Sequence, residues 1–175
     1  PSRDRDATTA AAYPPAVHPN AALIRDFYTR FGRRDGEGMA ALYADDVVFS
    51  DPVFPELRGE QARNMWRMLC ARGKDLRIDL GAFDADDKRG TARWDAHYLF
   101  SATGRRVWNQ VSASFEFRDG LIVRHTDVFS FWRWSRQALG PAGLLLGWTG
   151  FLQRKVQANA AKGLAPIGAR RYLVT

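Results

Sequence analysis

His125 and Asp127 stand two residues apart in the stretch 121–132 (LIVRHTDVFSFW), among Val123, Phe129 and Phe131. On an extended strand all of these side chains point to one face. An imidazole and a carboxyl on an otherwise apolar face are costly unless they pair or line a cavity. Paired inside a site, they make an acid–base unit in which the carboxylate holds one histidine tautomer; paired at a subunit contact, they are merely structural.

Asp51 is the second candidate. It precedes Pro52, which cannot donate to a ladder and biases Asp51 to an extended backbone, so the carboxyl sits where the strand 47–49 ends. Surrounded by Phe49, Val53 and Phe54, it is expected to act either as a general base with a raised pKa or as a turn cap held by backbone N–H groups with a lowered one. Arg93, Asp95 and His97 share one face of a later strand, while Trp94, Ala96, Tyr98 and Phe100 share the other. Facing inward, Arg93 would orient a carboxylate and Asp95 would move a proton; facing outward, they are surface charges and Trp94 and Tyr98 line the interior. Periodicity leans to the second arrangement, because the Trp94 set is the more apolar. Asn109 would orient a substrate through its amide, and Trp66, Phe115 and Phe129 read as wall and core. His97, His125, Asp95 and Asp127 have no spacing that selects a metal site. Neither a phosphate loop nor a dinucleotide fingerprint is present, so no metal and no cofactor is expected. The only cysteine, Cys70, lies on an apolar helix face and reads as a buried thiol; it excludes an internal disulfide framework.

The elements that must position these groups follow from periodicity. Residues 1–19 read as a flexible leader rich in alanine and proline. Asn20 is placed to cap a helix whose Leu23, Ile24, Phe27 and Phe31 form one apolar stripe. A short second helix carries Met39, Leu42 and Tyr43 inward, and a third spans 59–72 with Met65, Trp66, Leu69 and Cys70 on one side. Four strands follow, at 76–83, 91–100, 107–117 and 121–132, joined by polar or glycine-bearing turns. This is an antiparallel meander behind three helices, an α+β domain over 20–132. In the tail, 133–175, Leu145, Trp148, Leu152 and Val156 recur at helical spacing after Pro141, predicting an amphipathic helix packed on the domain or at a dimer contact.

The tail holds seven of the 26 basic side chains and none of the 19 acidic ones, so the formal charge of +7 belongs to it alone. The cations are sparse and accompany no nucleic-acid motif, which argues against nucleic-acid binding. Leu144, Leu145, Trp148, Phe151 and Leu152 beside Arg154 and Lys155 leave a membrane-surface role open. With no visible signal peptide and no apolar run of spanning length, a cytoplasmic protein is the default expectation.

The order of elements, the segment 42–59 (LYADDVVFSDPVFPELRG) and DGLIVRHTD at 119–127 resemble the nuclear-transport-factor-2-like superfamily, which includes ketosteroid isomerases, limonene-epoxide hydrolases and polyketide cyclases. The resemblance implies a cone-shaped curved sheet with helices enclosing a mostly apolar pocket, a small apolar or amphipathic ligand, and a homodimer. Asp51 falls where the isomerases keep their proton-shuttling aspartate, but their two oxyanion donors correspond to Phe27, with Tyr28 pointing elsewhere, and to Ala113. Arg93, Asp95 and Asp127 resemble the hydrolase triad, whose water-holding partners correspond to Phe49 and Asp51; that match turns the Arg93 face inward and adds His97 and His125 to the pocket. The expected function is cofactor-free acid–base catalysis, hydrolase-like or isomerase-like. Its rivals are a non-catalytic binding or dimerisation module and a peripheral membrane protein.

Overall fold

A computed structural model describes residues 17–169. Helices α1 (Pro19–Gly32), α2 (Gly36–Ala41) and α3 (Glu60–Arg72) lie with strands β1 (Tyr43–Ser50), β2 (Leu57–Arg58), β3 (Arg77–Ala85), β4 (Arg89–Phe100), β5 (Arg105–Arg118) and β6 (Leu121–Val128). Three further helices follow, α4 (Phe131–Ala138), α5 (Pro141–Leu146) and α6 (Gly150–Ala169). The strands form one sheet in the order β2-β1-β6-β5-β4-β3. The meander β3–β6 is antiparallel, but β1 runs parallel to β6, so the sheet is mixed. The domain is α+β, with a curved sheet that is not closed into a barrel.

The apolar stripe of α1 (Ile24, Phe27, Tyr28, Phe31) is buried together with Met65 and Trp66 of α3 and the inward side chains of β4 and β5. Asn20 does not cap α1. The helix begins a residue earlier, at Pro19, and the His18 ring accepts the Asn20 N–H at 3.1 Å. The Asn20 amide donates instead to the carbonyls of Asp86 (2.8 Å) and Asp87 (3.1 Å), tying the start of α1 to the β3–β4 turn. Tyr43 does not close α2; it opens β1.

β6 is shorter than periodicity suggests. An irregularity opposite Glu116 and Phe117 of β5 breaks the alternation, so Ile122 is buried and Val123 only half-buried. Phe131 belongs to α4, where it packs with Trp134 against Val107 and Leu152 in a second apolar cluster. The tail is not one amphipathic helix. It breaks at Gly140 and again between Gly147 and Thr149, leaving Leu145 and Trp148 exposed while Leu152 is buried. α6 lies against α3. The turn between α4 and α5 depends on closeness: a Cβ on Gly143 would fall 1.9 Å from the Ser135 carbonyl oxygen. Gly143→Val is expected to lower the melting temperature by several degrees through that clash, measured by calorimetry, whereas Ala142→Val at an exposed position leaves it unchanged.

Candidate functional site

Three elements, α3, β1 and β6, deliver one chain of hydrogen bonds to the centre of the sheet's inner face. Trp66 Nε1 on α3 donates to Tyr43 Oη at 2.7 Å, and Tyr43 Oη lies 2.7 Å from His125 Nδ1. His125 Nε2 in turn lies 3.0 Å from Asp127 Oδ1. Because the Asp127 carboxylate only accepts, the imidazole proton sits on Nε2 facing it, and Nδ1 accepts the proton of the Tyr43 hydroxyl, whose oxygen accepts from Trp66. Every donor in the row then has an acceptor. His125 is 0% exposed and Asp127 4%. The imidazole is walled by Phe27, Phe49, Trp66 and Phe115, with ring centroids 4.3 to 5.8 Å away. Register explains the fit: His125 pairs with Phe115 and Phe49, while Asp127 pairs with the small Ala113, itself opposite Ala92.

Asp51 lies nearer the surface, in the turn after β1. Its Oδ1 accepts the N–H groups of Val53 (2.6 Å) and Phe54 (2.5 Å). Burial nevertheless pushes the carboxyl up to about 7; the two backbone donors pull down, and the charge of Asp127 adds to the rise. The cap and the raised pKa, alternatives in the sequence, are present together, because desolvation outweighs two neutral donors. The charge of Asp51 also reaches Tyr98, whose hydroxyl burial pushes up to about 12 and which accepts from Trp134 Nε1 at 2.8 Å. Gln153 and Gln157 of α6 both donate to the Pro52 carbonyl at 3.0 Å, so the tail fixes the turn that holds Asp51.

Two further polar groups face this interior. Tyr28 Oη and Trp94 Nε1 are buried without a hydrogen-bond partner among the described residues, and their rings lie 5.3 Å apart. Tyr28 feels Asp127 electrostatically, which together with burial holds its phenol well above the ordinary tyrosine range. Tyr28 therefore points inward, contrary to the expectation from Phe27. Its spacing from Ile24 and Phe31 was the available signal. Tyr43 had none, since its partner His125 is 82 residues away. Asn109 lies opposite Ala96 on the same inner face, half-buried, and the half-buried Phe129 packs against both apolar clusters.

Arg93, Asp95 and His97 are not in this group. β4 turns Trp94 and Ala96 inward, so alternation sends the other set out. Arg93 is exposed; Asp95 Oδ2 accepts Trp108 Nε1 at 3.0 Å; His97 stacks on Trp108 and meets Asp79 at 3.3 Å. The Arg–Asp–Asp arrangement expected of a hydrolase is thus split across the two faces of the sheet. Two clefts, of about 870 and 450 Å³, lie elsewhere, the first beside Arg105, Arg136 and Leu144, the second beside His97, Tyr98 and Trp108. Neither is lined by Asp51, His125 or Asp127, and the sheet's inner side is filled by aromatic rings. Among the described residues no three His, Cys, Asp or Glu side chains are grouped as metal ligands would be. Burial raises the Cys70 thiol to about 11, leaving it unreactive beside Met39.

The model of the SnoaL-like domain matches residues 24–125, well over half of the chain. The chain belongs to the SnoaL-like domain family. No curated protein matches it in sequence. Among solved structures, an LEH-like epoxide hydrolase of Mycobacterium tuberculosis superposes with a TM-score of 0.61 at 20% identity, covering 75% of this chain and 96% of that one. An NTF2-like protein of unknown function from Burkholderia pseudomallei gives 0.61 at 19%, covering 70% and 98%. A Catenulispora acidiphila protein with a ketosteroid isomerase-like fold, in complex with trimethylamine, gives 0.61 at 13%, covering 69% and 94%. At such identities the likeness is one of fold.

Two outcomes follow from the site. Tyr43→Phe would strand both Trp66 Nε1 and His125 Nδ1, and is expected to cost about 2–4 kcal/mol in chemical denaturation. A loss under about 0.5 kcal/mol would show that the row is not needed. Asp51 binds its proton more tightly folded than unfolded, so its contribution to stability is complete below about pH 4 and is lost as pH rises through about 7. Asp51→Asn keeps the acceptor for Val53 and Phe54 and removes the charge. The variant should match the wild type near pH 4 and exceed it by about 4 kcal/mol at pH 8; an equal difference at both would contradict the raised pKa.

Proposed function

We propose that this SnoaL-like domain takes a small, largely apolar molecule against the inner face of the sheet and moves a proton on it without a cofactor. Asp51 is the general base, since a carboxyl raised to about 7 is half ionised at neutral pH and strong enough to take a weakly acidic C–H or O–H proton. Tyr28 Oη and Trp94 Nε1 are the donors for the oxygen on which charge develops, as buried donors that the protein leaves without partners. Asp127, fixed by His125, sets the electrostatics of the pair. His125 is a positioning residue: both its nitrogens are engaged and its ring is sealed from solvent. The observation that carries the reading is the raised Asp51 carboxyl, which feels the charge of Asp127, the same charge that reaches the unpartnered Tyr28 hydroxyl. An isomerase or cyclase type of reaction suits this set better than epoxide opening, because Arg93 and Asp95 lie outside. The exposed Leu99, Trp108 and Val128 on the outer sheet face supply a surface on which a second copy would pack.

A panel of hydrophobic cyclic ketones and phenols incubated in D2O, followed by NMR for exchange at carbon next to the carbonyl, tests the proposal. Exchange should rise with pH through about 7, fall by about 10²–10⁴-fold in Asp51→Asn and by about a hundredfold in Tyr28→Phe. Exchange that persists in Asp51→Asn would remove Asp51 from the role.

The second reading is a binding module without chemistry, favoured by the aromatic filling of the interior and by clefts that avoid Asp51. It predicts that members of the panel raise the melting temperature while no exchange exceeds that of buffer.

A further inference from the structure

The corner where α4, α5 and α6 meet exposes apolar side chains that a folded domain ordinarily hides. Leu145 is 68% exposed, Trp148 76% and Phe151 64%, with Leu144 and Leu146 also open to solvent. They form a continuous stretch at a turn and not a scatter of single residues. The corner is also held in shape. Ser135 Oγ donates to the Gly143 carbonyl at 3.3 Å, Trp132 Nε1 to the Leu144 carbonyl at 3.4 Å, and Trp148 Nε1 to the Leu145 carbonyl at 3.0 Å. The indole of Trp148 is thus anchored at its polar edge while its ring stands in solvent.

The surroundings are cationic. Arg133, Arg136, Arg154 and Lys155 are exposed, and the Arg136 guanidinium lies 4.9 Å over the Trp132 ring. Arg105, Arg106 and Arg136 border the cleft of about 870 Å³, whose lining also includes Leu144. No acidic residue occurs from 133 onward.

We propose that this corner docks on the surface of an anionic lipid bilayer. Leu145, Trp148 and Phe151 enter the boundary between headgroups and acyl chains, and the arginines and Lys155 lie in the phosphate layer, the division of labour of an interfacial segment. No helix of the described residues is long and apolar enough to cross a membrane, so the contact is peripheral. Charge decides against the other occupant considered, a second copy of this chain. A two-fold contact through the same patch would set Arg136, Arg154 and Lys155 against their own counterparts. The inference stands independently of the proposed reaction. It also has a structural consequence for it: α6 runs from this corner to Gln153 and Gln157, which hold the Asp51 turn, so a docked protein presents that turn close to the bilayer.

The test is co-sedimentation of the full chain with vesicles of phosphatidylcholine alone and of phosphatidylcholine with phosphatidylglycerol in equal parts, in low and high salt. The protein should pellet with the anionic vesicles, and high salt should weaken the binding. The Leu145→Glu/Trp148→Glu variant, altered only at exposed positions, should bind at least about tenfold more weakly at unchanged melting temperature. Arg136→Gln/Arg154→Gln should lose the preference for anionic over neutral vesicles. Three results would overturn the proposal: wild-type protein left in the supernatant with anionic vesicles, equal pelleting of the glutamate variant, or a dimer in sedimentation velocity that the glutamate variant breaks while the wild type ignores both vesicles.

Discussion

A carboxyl and an imidazole sealed among aromatic rings set the terms for the rest of the molecule. A buried charge is tolerated only with a partner, and a buried imidazole only with both nitrogens engaged. Asp127 has His125, His125 has Tyr43, and Tyr43 has Trp66, so the requirement passes from β6 to β1 to α3. The packing of α3 on the sheet and the parallel pairing of β1 with β6 are therefore fixed by polar as well as apolar contacts. Small residues lie beside the carboxyl, since Asp127 pairs with Ala113 and Ala113 with Ala92.

The buried charge acts at a distance on groups that it does not touch. Burial first, and the charge of Asp127 in addition, raise the Asp51 carboxyl and the phenols of Tyr28 and Tyr43. Two carboxyls with unequal surroundings thus divide their roles. One is paired and structural; the other is desolvated, hydrogen-bonded only by backbone, and poised near neutral pH. The tail contributes to the second, because α6 clamps Pro52 and α4 supplies Trp134 to Tyr98. A segment outside the family match at 24–125 thereby shapes the surroundings of Asp51.

Local sequence made the i, i+2 pair of His125 and Asp127 legible, along with the strand meander and the turn at Asp51-Pro52. Their distant partners were not. Nothing in the spacing of Tyr43 and His125 announces a contact across 82 residues. On β4 the alternation itself favoured Trp94 inward, and the hydrolase likeness turned the face the wrong way; burial of the more apolar set decided the matter. Tyr28 was visible as the fourth member of the stripe formed by Ile24, Phe27 and Phe31, yet a positional match to Phe27 hid it. In the tail, helical spacing of Leu145, Trp148 and Leu152 suggested one stripe, whereas α5 ends at Leu146, capped by Gly147, and α6 begins only at Gly150, a break that leaves the first two in solvent. Asp51 shows the limit most clearly. Its turn is local, but its pKa depends on desolvation by elements as far along the chain as α6.

Asp51 is held near neutrality, and the charge of Asp127 is part of the cause. Carbon-detected NMR titration of the aspartate carboxyls in the wild type and in Asp127→Asn addresses it directly. An Asp51 midpoint near 7 is expected, moving down when Asp127 loses its charge. A midpoint near 4 in the wild type, or one unmoved in Asp127→Asn, would contradict it.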